Sequence, residues 1–409
     1  MTPARIFQDR RILLGVTGSI AAYKAADLAS KLTQAGAHIE TILTQAAAQF
    51  VSPLTLQSVT GHPAHTTLWG SDAHVIHVGL AESADLLVIA PATADVIAKL
   101  AHGLADDLLT VTALAVRCPI LIAPAMDGGM YDHPATQANL KTLIDRDVIV
   151  VGPDEGRMAS GLIGKGRMVE PAELLGHIRL ALSRGGPLAG RKVVVTAGGT
   201  QEAIDPVRYI SNHSSGKQGF ALAQAALDRG ANVTLIAGVN HLPPVVGVTE
   251  IKVRSAAEMG QAVLRECANA DVLIMAAAVA DFRPETEAEQ KIKRGGLDGY
   301  SLQLTKTIDI LDAVAEQKEK SGRPTVTVGF AAETQNLVEN AREKVFKKKL
   351  SLIVANDVTA PDSGFFVDTN RVTIIGSGGG VSELPVMTKV EVAEAVCERI
   401  ERLLVNKGW

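Results

Sequence analysis

Aromatic side chains are scarce in this chain of 409 residues: Phe, Tyr and Trp together make up 3% of it. With 47% apolar content and 37 glycines, that shortage suits tightly packed α/β layers and excludes a disordered chain. Cysteine is rare too. Cys118, Cys267 and Cys397 are odd in number, far apart and in no CxxC pair. That spacing implies neither a disulfide framework nor a cysteine zinc site, and points to a reducing cytoplasm. An excess of either charge is also missing. A net charge of −4 gives no general reason to expect nucleic acid or an anionic membrane as partner. No apolar run approaches a membrane span and no signal-peptide pattern opens the chain, so a soluble intracellular protein is expected. The length exceeds one ordinary core, which makes two domains the default.

What is present is organised around Asp205 to Gly219, DPVRYISNHSSGKQG. An apolar run from Lys192 to Thr196 leads into Ala197-Gly198-Gly199-Thr200, and a helical pattern from Phe220 to Arg229 follows, closed by Gly230. A strand, a Gly-rich turn, a long polar loop and a helix present backbone N–H groups to an anion in α/β folds. It is not a Walker A loop: Ser211 stands where Gly is needed, and Gln218 where Ser or Thr is needed.

The first half opens with a buried strand, Arg11 to Val16, a turn Thr17-Gly18-Ser19-Ile20, a helix from Ala21 to Gln34 and a second strand, His38 to Leu43. The three-glycine dinucleotide fingerprint is lacking. Thr44 begins the next helix with a hydroxyl suited to a cap or a phosphate. Further strands, Asp85 to Ala90 and Pro119 to Ala123, end in Pro91-Ala92-Thr93-Ala94-Asp95 and in Pro124 to Tyr131. Ligands of parallel sheets gather at such ends. Four ends with small or polar residues suggest one crevice for a flat cofactor, gripped by backbone and hydroxyl groups. Ser183 to Gly190, bearing Gly and Pro, separates residues 1–187 from 188–409. Strands and helices alternate again beyond it, with polar residues at Asp281, Glu333 and Asn356 and lysines on a helix at Lys344 and Lys348. The fold class expected is therefore α/β, two doubly wound Rossmann-like domains.

The run TAGGTQEAIDPVRYISNHSSGKQG resembles the opening of the phosphopantothenate–cysteine ligases, the CTP-dependent synthetases of coenzyme A biosynthesis. In bacteria they are commonly fused behind a flavin-dependent phosphopantothenoylcysteine decarboxylase, which the first half resembles through GSIAAYK, TQAA, APATAD and HVGLAESAD. The resemblance implies a flavodoxin-like domain holding FMN through Gly18, Ser19, Ile20, Thr44, Pro91, Ala92, Thr93 and Asp95. It puts the active-site histidine at His77. Two positions depart from the pattern. Asp127 replaces an asparagine that contacts the substrate carboxylate, and an ionised Asp accepts where an amide donates. Ser160 replaces a cysteine that serves as proton donor, and a hydroxyl is a far weaker acid than a thiol.

In the second half, AAAVAD, KIKR and GFAAET match ligase motifs that build the CTP site. The resemblance maps that site onto Ala277, Asp281, Lys291, Ile308, Asp309, Ile310, Leu311, Phe330, Lys344 and Lys348. A carboxylate attacks the α-phosphate of CTP, and the amine of cysteine displaces CMP from the acyl-cytidylate. Lys291 and Mg²⁺ would neutralise the phosphate, Asn212 would turn the acyl-cytidylate over, and Arg208 would hold an acyl-substrate oxygen. Arg294 keeps the charge of the family's lysine with a different geometry. Decarboxylase trimers and ligase dimers, combined as a dodecamer, are implied. The leading reading is a bifunctional enzyme, ligase then decarboxylase. The alternatives are an active ligase with a decarboxylase impaired at Asp127 and Ser160, and a flavin-binding scaffold.

Overall fold

The computed structural model describes residues 5–69, 76–157, 161, 163–293, 300–333, 337–357 and 367–405. The chain divides into two compact units, Met1–Ser183 and Arg184–Trp409.

The first unit is built on β1 (Arg11–Val16), β2 (His38–Leu43), β3 (Ala64–His65), β4 (Leu86–Ala92), β5 (Ile120–Pro124) and β6 (Ile149–Val150). All pair in parallel, in the order β3-β2-β1-β4-β5-β6. Without the two-residue β3, this is the flavodoxin-like order, and the switch point falls between β1 and β4. The apolar runs are long because both faces of the sheet are covered. Ile12, Leu14 and Val16 pack with Leu28, Leu32, Leu174 and Ile178, from α1 (Tyr23–Gln34) and, later in the chain, the helix Pro171–Leu182. Leu13, Leu87 and Ile89 pack on the other face, against Ile97, Leu109 and Leu140. The helices on the way are α2 (Pro53–Thr60), α3 (Ile76–Ser83), α4 (Ala94–His102), α5 (Leu108–Ala115), α6 (Gly128–Tyr131) and α7 (Pro134–Ile144), which makes Pro171–Leu182 α8. α1 carries Ala25, Leu28, Ala29 and Leu32 on its buried stripe, and each leucine contributes about 1.5–3 kcal/mol. A hairpin of β7 (Asp154–Arg157) and β8 (Ile163–Arg167) follows the sheet. The helix expected to start at Thr44 is a short 3-10 turn, Ala47–Gln49, in which Ala47 N–H donates to the Thr44 hydroxyl at 3.1 Å.

The second unit has β9 (Lys192–Ala197), β10 (Gln201–Ala203), β11 (Tyr209–Ser211), β12 (Asn232–Ala237), β13 (Thr249–Lys252), β14 (Val272–Met275), β15 (Phe282–Pro284), β16 (Leu304–Lys306), β17 (Val326–Glu333) and β18 (Leu352–Asp357). After β19 (Thr369–Asn370) come β20 (Val372–Gly376), β21 (Val381–Glu383) and β22 (Met387–Thr388). The main sheet runs β13-β12-β9-β14-β17-β18-β20-β21. Its first six strands are parallel and the last two form an antiparallel edge hairpin. Its helices are α9 (Lys217–Leu227), α10 (Ala256–Cys267), α11 (Ile310–Ser321), α12 (Leu337–Lys347) and α13 (Lys389–Leu404). Met259 and Val263 of α10 and Ile310 and Val314 of α11 pack on Val194, Ile236 and Leu273. α9 lies so close to β9 that a Cβ at Gly219 would sit 2.4 Å from that of Ala197; only glycine fits. The polar stretch expected as a loop, Asp205 to Gly219, contains β11, which pairs antiparallel with β10 just before it, Gln201 opposite Ser211.

Each switch point is bridged by a buried threonine. In the second unit the Thr196 hydroxyl, fully buried, accepts the N–H groups of Ala276 and Ala277, both at 3.1 Å. Replacing Thr196 by Val keeps the shape and removes that acceptor. The expected loss is about 1–3 kcal/mol, read as a lower denaturant midpoint for the second unit. An unchanged midpoint would show that these N–H groups do not depend on the hydroxyl.

Candidate functional site

In the first unit the bridging residue is Thr17. Its hydroxyl donates to the Pro91 carbonyl at 2.7 Å and accepts the Thr93 N–H at 3.1 Å, which draws the carboxyl ends of β1 and β4 together. A cavity of about 1030 Å³ opens at these ends, where parallel sheets bind ligands. Gly18, Ser19, Ile20, Thr44, Thr93, Asp95 and Asp127 line it. Pro91 and Ala92 do not; both are buried, and their carbonyls hold Thr17 and the Ala125 N–H. Local geometry explains the lining. Ser19 and Thr93 cap the turns that follow β1 and β4, so their hydroxyls point at N–H groups beside the cavity. Asp127 caps α6, accepting the Gly129 N–H at 3.1 Å. An asparagine oxygen caps equally well, so this fold tolerates either residue.

Lys24, in the stretch that resembles flavin-holding GSIAAYK, is 6% exposed. Its ammonium donates to the Met168 carbonyl at 2.9 Å and to Glu170 at 2.7 Å. It clamps α1 to the end of β8. The Met126 N–H also donates to the Gly166 carbonyl at 3.0 Å, which seats the hairpin beside the cavity. Arg157 and Arg167 of that hairpin line the cavity, and sequence reading did not select them. The signal was two arginines ten positions apart, on either side of Gly161, Gly164 and Gly166 in the sequence. They supply cations for a phosphate or carboxylate. Ile20, Tyr23 and Met130, all exposed and lining the same space, supply apolar surface for a flat ring. The volume and donor set fit a flavin mononucleotide.

His77 lies half-buried at the start of α3 and is not among the residues lining this cavity. Ser160 and Arg294 lie outside the described residues, as does His74. None of the three cysteines lines the cavity. Cys118 is half-buried just before β5, at the end of the strand away from the cavity, and burial raises its thiol pKa. Burial pushes Cys267 and Cys397 up to about 12.

In the second unit the polar residues gather at the ends of β9 and β14. The Asn212 amide donates to the Val279 carbonyl at 3.0 Å. The Thr200 hydroxyl, buried, accepts the Ala280 N–H at 2.9 Å. Arg208 donates to the Ile292 carbonyl at 3.1 Å and faces Asp205 at 3.5 Å. Asp205, 2% exposed, accepts the N–H groups of Val207 and Arg208, both at 2.8 Å, and of Ile292 at 3.2 Å. Asp205 and Arg208 thus clamp the segment that carries the exposed Lys291. Sequence reading missed this role of Asp205. A side chain that joins residues 87 apart leaves no local pattern.

Ala277 is partly buried and Asp281 exposed beyond β14; Phe330 is half-buried in β17. Ile308 is exposed, whereas Ile310 is core and Leu311 packs against it. Asp309 caps α11, and its other oxygen meets the Lys348 ammonium at 2.5 Å; Asp312 meets the same ammonium at 2.8 Å. Burial pushes the Asp309 carboxyl up, but Lys348 and backbone N–H groups outweigh it and hold it below the usual range. Lys344, in α12, is exposed, whereas Lys348, expected on the same helix, stands one residue beyond its end. Lys217 at the start of α9 pairs with Asp368 at 2.6 Å. Among the described residues, no cluster of three or more His, Cys, Asp or Glu suited to a metal occurs in this unit. Mg²⁺ commonly arrives on substrate phosphates with its own waters.

Two doubly wound units, each with polar residues at its switch point, define a flavoprotein joined to a nucleotide-type α/β domain. The family model described as Flavoprotein matches residues 3–182, and that of the DNA/pantothenate metabolism flavoprotein C-terminal domain matches 188–404. The coenzyme A biosynthesis bifunctional protein CoaBC of Bacillus subtilis (strain 168) is 46% identical over 408 residues, covering 98% of this chain and 99% of its own. Its namesake in Vibrio cholerae serotype O1 (strain ATCC 39315 / El Tor Inaba N16961) is 47% identical over 396 residues, 96% of this chain and 98% of its own. A solved C-terminal domain of a protein of that name is 39% identical, covers 54% of this chain and 100% of its own, with a TM-score of 0.46. The chain belongs to the family of bifunctional coenzyme A biosynthesis proteins.

The Asp205 clamp generates a pH dependence. Burial alone would raise this carboxyl, but the N–H groups of Val207, Ile292 and Arg208 and the Arg208 charge outweigh it and hold its pKa low. A carboxyl held low when folded, and near ~3.9 when unfolded, stabilises fully above that unfolded value. The contribution is lost as pH falls through the folded value. Asp205→Asn is therefore expected to lower the second unit's stability at neutral pH and to flatten its decline below about pH 4. Denaturant titrations at several pH values check this; parallel curves for both proteins would contradict it.

Proposed function

We propose that the chain carries out two steps of coenzyme A biosynthesis. Residues 188–409 condense 4′-phosphopantothenate with cysteine at the expense of CTP, and residues 1–187 decarboxylate the resulting 4′-phosphopantothenoylcysteine to 4′-phosphopantetheine. The observation that carries the reading is the first-unit cavity. Gly18, Ser19, Ile20, Thr44, Thr93, Asp95 and Asp127 line it, and these are the positions at which the decarboxylase motifs fall. FMN would be held there by the turn at Gly18–Ile20, the Thr44 and Thr93 hydroxyls and Asp95. When bound, it supplies two-electron redox chemistry for oxidative decarboxylation and return of the electrons. Arg157 and Arg167 bind and orient an anionic group. Asp127 keeps its carboxylate on the Gly129 N–H, so a substrate carboxylate would take its donors elsewhere in the lining, from Arg157 and from Arg167 in exchange for its 3.4 Å contact with Glu170.

His77 is kept as the acid–base group of this site. Because it does not line the cavity of its own chain, a neighbouring copy in the implied trimer is the source we assign. Mass photometry that finds only monomer in active protein would remove that assignment, together with the dodecamer.

In the second unit, Lys291 and Mg²⁺ meet the reacting phosphate, Asn212 acts on the acyl-cytidylate, and Arg208 holds the Lys291 segment as well as facing the acyl substrate. Lys348 is already paired with Asp309 and Asp312, so a triphosphate competes with two carboxylates for it. Lys344 and Phe330 complete the proposed CTP site, and the cytoplasm is the compartment that fits the substrates.

The test incubates purified protein with 4′-phosphopantothenate, cysteine, CTP and Mg²⁺ and follows products by mass spectrometry. Phosphopantetheine with loss of CO₂ is expected. Lys291→Ala should lower amide formation roughly 100-fold or more while the bound-flavin absorbance stays unchanged. Phosphopantothenoylcysteine alone would leave a ligase beside a decarboxylase impaired at Asp127 and Ser160; no amide at all would overturn the proposal.

A further inference from the structure

A second cluster of chemistry-bearing side chains sits on the edge of the first sheet, at the end of β2 away from the cavity. His38 and Glu40 are two apart on β2 and so project from one face. Ile42, next on that face, pairs in register with His65 of β3. His62 stands just after α2 and its closing residue, Gly61. The His38 Nε2 and Glu40 Oε1 atoms are 3.3 Å apart, and the His65 Nε2 and Glu40 Oε2 atoms are 3.3 Å apart. The rings of His38 and His62 lie with centroids 3.9 Å apart, tilted by 46°. One ligand atom from each of His38, Glu40 and His62 falls within 4.8 Å of the others. All four residues are half-buried.

A tetrahedral metal with donors at ~2.0–2.1 Å sets them roughly 3.3–3.4 Å apart, which is the observed His38–Glu40 spacing. Two imidazoles and a carboxylate, with no thiolate near, suit a borderline divalent ion rather than Ca²⁺ or Mg²⁺. We propose that His38, Glu40 and His62 bind a divalent first-row metal of the Zn²⁺ class, with His65 holding the second carboxylate oxygen. That outer contact is the kind that orients a metal-bound carboxylate. β2 rises about 3.3 Å per residue, so the six steps from His38 to Thr44 place this site roughly 20 Å from the cavity lining. The metal is therefore structural: it staples the two-residue β3, too short to hold by its own ladder, onto β2.

The experiment titrates Zn²⁺ alone into full-length, flavin-loaded protein stripped by a chelator. Binding of about one equivalent at this site, with a rise in Tm, is expected. The double variant His38→Ala/His62→Ala and the near-isosteric Glu40→Gln should each weaken binding at least about tenfold and lose the Tm response. Glu40→Gln decides the matter if the double variant does not fold. Wild-type protein that binds no Zn²⁺, or variants that bind as the wild type does, would overturn the proposal.

Discussion

Both sheets are bridged at the switch point by a buried hydroxyl group, where an apolar side chain would leave backbone groups unpaired. At a switch point the neighbouring strands lead into turns on opposite faces of the sheet, and their last backbone groups lose their ladder partners. Thr17 satisfies the Pro91 carbonyl near the end of β4 and the Thr93 N–H just after it; Thr196 accepts two N–H groups after β14. Each is fully buried, so water cannot substitute and the hydrogen bonds are made by the protein or not at all. These contacts hold the crevice walls at a fixed separation, which every ligand-facing residue inherits.

Around that frame, positive charge is spent largely on the protein itself. Lys24 binds a carbonyl and Glu170, Arg208 a carbonyl and Asp205, and Lys348 two aspartates. Read from the sequence, such cations look like partners for phosphate. In the structure they first position other groups, and the segment that carries the exposed Lys291 is held by the Asp205–Arg208 clamp. Arg157 and Arg167 line the first-unit cavity beside Lys24 and Lys99, and of these Arg167 meets Glu170 at 3.4 Å while Lys99 pairs with Asp95 and Asp106.

Much of this was legible beforehand. Asn232–Ala237 is a strand with the expected bounds, and most other main-sheet strands fall within a residue or two of their expected limits because buried parallel strands announce themselves as apolar runs. The edge hairpin around the glycine run near Gly379 was equally plain. The small hairpins were not. β7 and β8 are short, polar and exposed on alternate residues, and β10–β11 hides in QEAIDPVRYIS, each strand too short to show a period. Sequence motifs located the cavity through Gly18, Thr44 and Thr93, but not the residues that shape it from afar. Thr17 reaches Pro91 and Asp205 reaches Ile292 across 74 and 87 positions, and no local period encodes such pairs. The His38–Glu40–His62 cluster was hidden similarly, its members drawn together by the register of β2 and β3.

The three cysteines have a bearing on the company this protein keeps. An enzyme that takes free cysteine as a reactant meets an abundant thiol, and any cystine formed from it is a disulfide that a protein thiolate could attack. Exchange needs the thiolate. With Cys267 and Cys397 held at about 12 and Cys118 raised by burial, the chain offers almost none, so mixed disulfides with its own substrate have no foothold.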